Sequence, residues 1–270
     1  MSTKYFPNSG DIVSQCRAIT KPGLYMILPQ NNRVESIFPN MKNVTGQILT
    51  TNSLGAHFNQ YELHFEPGGT VNNLKSNVFE YFIFVLEGKI EVKVKKINRD
   101  EELNAGGYAY LPVGLDYILL NSSNKKSRVL YIEKAYKPFG SLSPKIIFNN
   151  EKNIVAKPCD TYVEQHLIPY EEEISYDMAM NLLNFKPGIC FGFVESHIME
   201  HGLYMLKGNG IYWLNGDYHE VKANDYIYMA PYCPQYFYST GLIKGRYLLY
   251  KDVNRDYNES LKVINVERRF

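Results

Sequence analysis

The chain has 270 residues, 45% of them hydrophobic, so it is long enough for one large domain or two of ordinary size. Its 29 basic and 28 acidic residues leave a formal charge of +1, which argues against nucleic acid or an anionic membrane as a partner. No stretch approaches the roughly 20 consecutive apolar residues of a membrane span. The first 17 residues lack an apolar segment and the four cysteines form no C-x-x-C pair, which predicts a reduced, cytoplasmic protein.

Two parts of the chain share one sequence pattern. Residues 65–68 (FEPG) recur 120 residues later as 185–188 (FKPG), and this offset holds as far as Gly88 and Gly208. Further along, residues 105–111 match 223–229 at an offset of 118. Two copies of this length indicate a duplicated domain and not a solenoid array.

Within each copy the pattern is that of β-strands. Residues 90–95 alternate apolar and charged side chains, and short apolar runs are separated by Gly, Pro and Asn. Many short strands with turns between them predict an all-β fold of two tandem jelly-roll barrels. The predicted domains are 1–140 and 141–270, with a linker over 137–158. A short helix is expected near residues 161–166.

A compact polar cluster distinguishes the second copy. Residues 195–201 (ESHIMEH) precede Gly208 and resemble the first cupin motif, and residues 231–235 (PYCPQ) resemble the second. The resemblance implies that the metal ligands are Glu195, His197, His201 and Gln235. These depart from the usual cupin set, because Glu stands for the first His, His for Glu, and Gln for the final His.

The geometry of a strand supports part of this ligand set. Glu195 and His197 are two apart and face the same side, and His201 keeps that side if the strand continues. One carboxylate, two imidazoles and one amide suit Mn²⁺, Fe²⁺ or Ni²⁺ in octahedral geometry, with positions left for substrate or water. The remaining histidines have no partners at ligand spacing and are assigned no role: His57, His64, His166 and His219.

Four segments carry a closer resemblance. Residues 55–61 (GAHFNQY), 197–208, 230–235 and 246–255 (RYLLYKDVNR) are similar to the (S)-ureidoglycine aminohydrolase family. The resemblance implies a manganese-dependent bicupin, one Mn²⁺ per chain, that converts (S)-ureidoglycine to (S)-ureidoglycolate and ammonia in purine (allantoin and allantoate) catabolism. It favours Mn²⁺ among the metals that the donor set allows. We expect a small-molecule substrate and a homo-oligomer, since bicupins bury their strand edges against neighbours.

The same resemblance implies roles for individual side chains. Tyr247 and Lys251 share one face of the last strand, and the matching family residues contact substrate, as does the match of Tyr212. Lys251 is expected to move a proton, with Tyr247 orienting it. Glu195 is expected to bind both metal and the substrate amine. The predicted catalytic residues are thus Lys251, Tyr247 and Glu195, and the predicted substrate contacts are Glu195, Tyr212, Gln235, Tyr247 and Lys251.

The first copy lacks these groups. At the two offsets, the counterparts of the four predicted ligands are poor ligands for a hard divalent ion: Lys75, Asn77, Tyr81 and Tyr117. Val129 and Glu133 stand where the second copy has Tyr247 and Lys251. The first barrel is therefore expected to be metal-free and structural.

Two other functions fit parts of the pattern. A metal-dependent cupin oxygenase or decarboxylase usually presents three His and one Glu to a redox-active ion, and the presence of Gln235 and Glu195 argues against it. A non-catalytic storage or small-ligand-binding bicupin is the second alternative, and the four-ligand cluster argues against it. Oxygen dependence and ammonia release separate the three.

Overall fold

The computed structural model describes residues 17–73 and 76–255. The described strands of the first half are β1 (Ile19–Lys21), β2 (Tyr25–Leu28), β3 (Glu35–Ser36), β4 (Met41–Thr50), β5 (Phe58–Asn73), β6 (Phe79–Glu87), β7 (Lys89–Val94), β8 (Arg99–Asn104), β9 (Gly107–Leu111), β10 (Tyr117–Leu120) and β11 (Ser127–Ala135). The second half contains β12 (Ile147–Asn150), β13 (Lys157–Cys159), β14 (Tyr162–His166), β15 (Met178–Phe185), β16 (His201–Lys207), β17 (Asn209–Leu214), β18 (Asp217–Lys222), β19 (Tyr226–Met229), β20 (Gln235–Thr240) and β21 (Gly245–Asp252).

Helical structure in the described residues consists of short 3₁₀ turns. They span Gln30–Asn32, Asn52–Leu54, Lys95–Ile97 and Glu151–Asn153. None of the helices in the described part of the chain is long and apolar enough to cross a membrane.

The first barrel is one ten-stranded antiparallel sheet. Its main order is β12-β9-β6-β11-β5-β10-β7-β8, with β4 on the other edge of β5 and β3 on β4. The sheet curls because the 16-residue β5 pairs with β11 through its first half and with β10 through its last four residues. The predicted alternation of β7 is present, since Ile90, Val92 and Val94 are buried in the barrel while the residues between them are half-buried.

The second barrel is built from two sheets that face each other. An eight-stranded sheet has the order β1-β2-β19-β16-β21-β15-β14-β13, and a three-stranded sheet has the order β18-β17-β20. Tyr212 and Phe237 of the small sheet pack against Phe185 and Tyr247 of the large one. The predicted all-β fold of two barrels is confirmed.

The two barrels exchange equivalent strands. β2, which precedes the first copy, pairs with β19 of the second barrel, and β12, which precedes the second copy, pairs with β9 of the first barrel. Sheet membership therefore crosses the proposed boundary between residues 140 and 141 in both directions. The boundary between residues 140 and 141 stays a proposal, and it divides the two sequence copies and not the two sheets.

A large apolar core joins the outer faces of the two barrels. Phe82 and Tyr110 of the first barrel belong to the same buried cluster as Met180, Tyr204 and Tyr250 of the second. Burial of so many large side chains, at roughly 1.5–3 kcal/mol each, fixes the barrels against each other.

Two expectations about the connecting region are wrong. Residues 162–166 form strand β14 instead of a short helix, because they pair with β15. The predicted linker, residues 137–158, contains β12 and the start of β13 and is therefore part of both sheets. The prediction for Lys75 lies outside the described residues.

Candidate active site

A pocket of about 180 Å³ opens inside the second barrel, between the large sheet and the small sheet. All seven residues assigned a role from the sequence line this pocket, together with six others: Tyr162, Glu164, Leu183, Phe191, Glu195, His197, Met199, His201, Tyr212, Gln235, Tyr247, Leu249 and Lys251. The two predicted motifs therefore meet at one cavity. Their assigned roles stay predictions.

The backbones of the two motifs are tied together at the pocket. Glu195 and Gln235 form an isolated antiparallel bridge, with N–H···O distances of 2.9 and 2.8 Å in the two directions. The Tyr232 N–H donates to the His197 carbonyl at 2.7 Å, and the Ser196 hydroxyl donates to the Tyr232 carbonyl at 3.1 Å. Tyr232 adopts a left-handed conformation with φ of 63°, which a bulky residue rarely does. These bonds hold both motifs at fixed separation despite that strain.

The ligand segment is not the continuous strand that the spacing predicted. Residues 196–200 are irregular, and β16 begins only at His201. The chain bends back here, because the Glu200 N–H donates to the Asp252 carboxylate at 2.7 Å while the Glu200 carboxylate accepts from the His57 N–H. The two imidazoles still meet, with ring centroids 4.7 Å apart at an angle of 72°.

Both imidazoles are held neutral. Burial, reinforced by the positive charge of Lys251, lowers the pKa of His197 to about 4. Burial, His197 and Lys251 together lower the pKa of His201 well below its usual range. Neutral imidazole is the form that binds a metal ion, so the protonation state suits the predicted role.

The donor set fits a divalent ion in type, but the side chains are not gathered around one point. The Nδ1 atom of His197 is buried and has no hydrogen-bond partner among the described residues. The Gln235 Nε2 lies 3.3 Å from His201 Nδ1. As they stand, no three His, Cys, Asp or Glu side chains in residues 17–73 and 76–255 form a metal-holding group. An orphaned imidazole nitrogen beside a carboxylate and an amide is nevertheless a donor set that a metal ion satisfies.

Burial also governs the carboxyl group of Glu195. Loss of hydration raises its pKa, and the nearby charge of Lys251 opposes that rise. Burial thus favours the neutral carboxyl group and Lys251 favours the carboxylate. A cation in the pocket would also favour the ionised form.

Tyr247 and Lys251 come from the central strand β21. Lys251 lies directly opposite His201 on β16, and Tyr247 lies opposite Met205, so both residues are fixed by sheet register. Tyr247 and Tyr212 are fully buried, and burial raises the pKa of each phenol, so both remain protonated hydrogen-bond donors. The Lys251 ammonium sits 5.7 Å from the centre of the Tyr170 ring.

One acidic residue of the pocket was missed from the sequence. Glu164 lines the cavity and bonds to His166, which was given no role because it lacks partners at ligand spacing. The sequence pattern that could have identified Glu164 is the alternation of Tyr162, Glu164 and His166 along a strand. The prediction of a helix over residues 161–166 obscured this pattern.

The duplicated barrels, with a polar pocket inside the second one, define a bicupin. No protein-family model matches the chain. It is 32% identical over 246 residues to (S)-ureidoglycine aminohydrolase of Escherichia coli (strain K12), which covers 89% of this chain and 92% of that protein. It is also 30% identical over 248 residues to (S)-ureidoglycine aminohydrolase of Arabidopsis thaliana, with 91% and 81% covered. The chain belongs to the (S)-ureidoglycine aminohydrolase family.

Solved structures agree with this assignment. The crystal structure of the Escherichia coli protein Ylba aligns with a TM-score of 0.82 and 30% identity, covering 93% of this chain and 99% of that one. A variant of Bacillus subtilis oxalate decarboxylase aligns with a TM-score of 0.66 but only 11% identity, covering 91% and 82%. The second likeness shows the shared bicupin fold alone.

Proposed function

We propose that this protein is an (S)-ureidoglycine aminohydrolase, which hydrolyses (S)-ureidoglycine to (S)-ureidoglycolate and ammonia in purine catabolism. One observation carries the proposal. A single pocket of the second barrel gathers every residue that the family resemblance assigns to metal, substrate and proton transfer. Its volume of about 180 Å³ suits a small polar metabolite.

We propose Mn²⁺ as the cofactor, one ion per chain, with Glu195, His197, His201 and Gln235 as its ligands. The neutral state of both imidazoles and the unpartnered Nδ1 of His197 support this choice. When bound, the ion would supply Lewis-acid anchoring of the oxygen atoms of the substrate, which fixes its pose.

The residues of the chain account for the remaining chemistry. Lys251 donates a proton to the leaving amine and recovers one from the water that adds to the carbon. Tyr247 and Tyr212, as buried protonated phenols, orient the substrate by donating hydrogen bonds. Leu183, Leu249 and Phe191 form an apolar wall that limits access of bulk water.

We also propose a cytoplasmic homo-oligomer. Exposed apolar side chains near the pocket support association, with Phe193 exposed by 66% and Val194 by 51%. Light scattering at micromolar concentration tests this part, and a strict monomer would contradict it.

The function is tested by making ureidoglycine in place from allantoate with a coupling enzyme and following the ammonia released above a control that contains the coupling enzyme alone, since that step also releases ammonia. We expect turnover that depends on Mn²⁺ and is unaffected by removal of oxygen. Oxygen-dependent turnover would indicate the oxygenase alternative, and binding of ureidoglycine without ammonia release would indicate a binding protein.

A further inference from the structure

Strand β14 places an acid and an imidazole on the inner face of the second barrel. Tyr162, Glu164 and His166 alternate along it, and the first two line the pocket. Glu164 lies opposite Leu183 on β15, and Leu183 lies opposite Tyr247 on β21, so the three residues form one row across the sheet. The register of the sheet therefore aims Glu164 at the same cavity as Tyr247.

The carboxylate of Glu164 is fixed on one side and open on the other. Its Oε1 atom lies 2.5 Å from His166 Nε2, and the two side chains are only 17% and 11% exposed. The His166 ring in turn packs on Tyr170, with centroids 5.1 Å apart. No donor in the described part of the chain bonds to the second oxygen, Oε2. One oxygen is thus positioned by protein, which leaves the other for a ligand.

The group stays ionised in spite of its location. Burial opposes ionisation, but the hydrogen bond from His166 and the charge of Lys251 outweigh it and lower the pKa of Glu164. A carboxylate on the inner face of a barrel loses hydration, which is destabilising unless a partner compensates. Lys251 acts at a distance and not as a contact ion pair, since no described carboxylate oxygen lies within 4.0 Å of its ammonium.

We propose that Glu164 is a second carboxylate, besides the predicted contact of Glu195, that binds the leaving amino group of the substrate, with His166 as its positioning residue. This inference rests on the proposed function. Lys251 protonates the amine, the carbon–nitrogen bond breaks with both electrons going to nitrogen, and water adds to the carbon and returns a proton to Lys251. Glu164 accepts hydrogen bonds from the N–H groups throughout and exchanges no proton. Substrate and product differ only in bearing an amine or a hydroxyl at this carbon, so Glu164 favours the substrate.

The test compares Glu164→Gln with Glu172→Gln. Glu172 is 60% exposed and lies 3.9 Å from an equally exposed Lys157, so it provides the same charge change outside the pocket. For Glu164→Gln we expect kcat/KM for ureidoglycine to fall about 10–100-fold, the effect of losing one hydrogen bond to a charged group. The inhibition constant of the product ureidoglycolate and the manganese content should stay unchanged, while the unfolding midpoint should fall, because the lowered pKa of Glu164 marks a charge that stabilises the fold. Glu172→Gln should match wild type in all four.

A second arm uses ligands that need no turnover. Calorimetry on the manganese-loaded protein compares glycine, which carries an ammonium, with glycolate, which carries a hydroxyl. Glu164→Gln should weaken glycine binding and leave glycolate binding unchanged.

Three results would overturn the inference. They are an unchanged kcat/KM, a parallel loss of product binding, and a loss of manganese, which would make Glu164 a part of the metal site. If wild-type protein releases no ammonia, the proposed function fails, and the calorimetric comparison still decides the role of Glu164. In that case, the inference about Glu164 is overturned if wild-type protein binds glycine no more tightly than the Glu164→Gln variant does.

Discussion

The two barrels use the same strand framework but fill their interiors differently. In the first barrel, Tyr81 lies at the position of His201, since each pairs with the equivalent residue of its neighbouring strand. Tyr81 packs against Tyr117 and Tyr131, with ring centroids 5.2 and 5.7 Å away. The hydroxyls of Tyr117 and Tyr131 are 2.5 Å apart. Three aromatic rings thus occupy the region that forms a pocket in the second barrel.

The strand that leads into the site also differs. In the first barrel β5 runs without a break from β11 to β10, and the chain advances three residues from Thr70 to Asn73 while β10 advances three from Tyr117 to Leu120. In the second barrel the equivalent chain is irregular. It advances five residues from Cys190 to Glu195, while its partner advances three from Gln235 to Tyr238.

The two extra residues lie between Cys190 and Glu195, where they displace the chain from the barrel wall just before the predicted metal motif. Phe193 and Val194 are consequently exposed. The pairing also makes Asn73, not Lys75, the structural counterpart of Glu195, because Asn73 lies opposite Tyr117 as Glu195 lies opposite Gln235. A local shift of register before Glu195, and the changes from Tyr81 to His201 and from Tyr117 to Gln235, accompany the difference between the filled barrel and the one with a pocket.

The largest expected effect comes from His201→Ala. Removing one of four ligands from a site buried in the barrel should abolish both manganese binding and ammonia release. Tyr81→Phe, at the matching position of the first barrel, should leave both unchanged. Manganese content and turnover are measured on the same preparations, and a His201→Ala protein that keeps its metal would refute the ligand assignment.

The next effect comes from Lys251→Ala. The predicted ligands are untouched, so manganese should stay bound while turnover falls by ~10²–10⁴-fold, as is typical when a general acid–base group is lost. Lys251→Arg should not restore the rate, because a guanidinium remains protonated. Glu133→Gln, the counterpart in the first barrel, should be fully active. Full activity in Lys251→Ala would remove the lysine from the mechanism.

The unfolding free energy should depend on pH through Glu62, which links the first barrel to the second. Burial opposes ionisation of Glu62, but a hydrogen bond from His64 and the charges of Arg33 and Arg128 lower its pKa from 4.5 to about 2. A carboxyl with a lowered native pKa stabilises the fold above pH 4.5, and this contribution is lost as the pH falls toward 2. The loss is about 3 kcal/mol of unfolding free energy.

Urea unfolding between pH 7 and pH 2.5 measures this contribution. Glu62→Gln should be less stable at pH 7 and should show a flatter acid dependence than wild type. Glu66→Gln, whose pair with Lys126 is exposed, is the control and should keep the wild-type slope. Equal slopes in all three proteins would exclude the assignment to Glu62.

The smallest effect is expected from Tyr117→Phe in the first barrel. The variant leaves the buried hydroxyl of Tyr131 without its partner, which should cost about 1–2 kcal/mol of unfolding free energy. Ammonia release should be unaffected, since the first barrel is predicted to be structural. A drop in turnover without a drop in stability would contradict the assignment of a structural role to the first barrel and a catalytic role to the second.

Much of this comparison could be predicted from the sequence. The repeat offsets and the period-two alternation predicted two β-barrels, and the motif spacing predicted which side chains line one pocket. The exchange of β2 and β12 could not be predicted, because short strands outside the repeats give no sign of which sheet they join. Glu164 was missed for a related reason. Residues 161–166 are too short a segment to separate a helix from a strand by sequence, and pairing with β13 and β15 makes residues 162–166 a strand.

Elemental analysis of the purified protein tests the contrast between the barrels most directly. If Glu195, His197, His201 and Gln235 form the site and the first barrel is filled by tyrosines, the protein should contain about one manganese ion per chain. Two ions per chain would contradict the structural role of the first barrel, and a single ion that persists in His201→Ala would contradict its placement in the second.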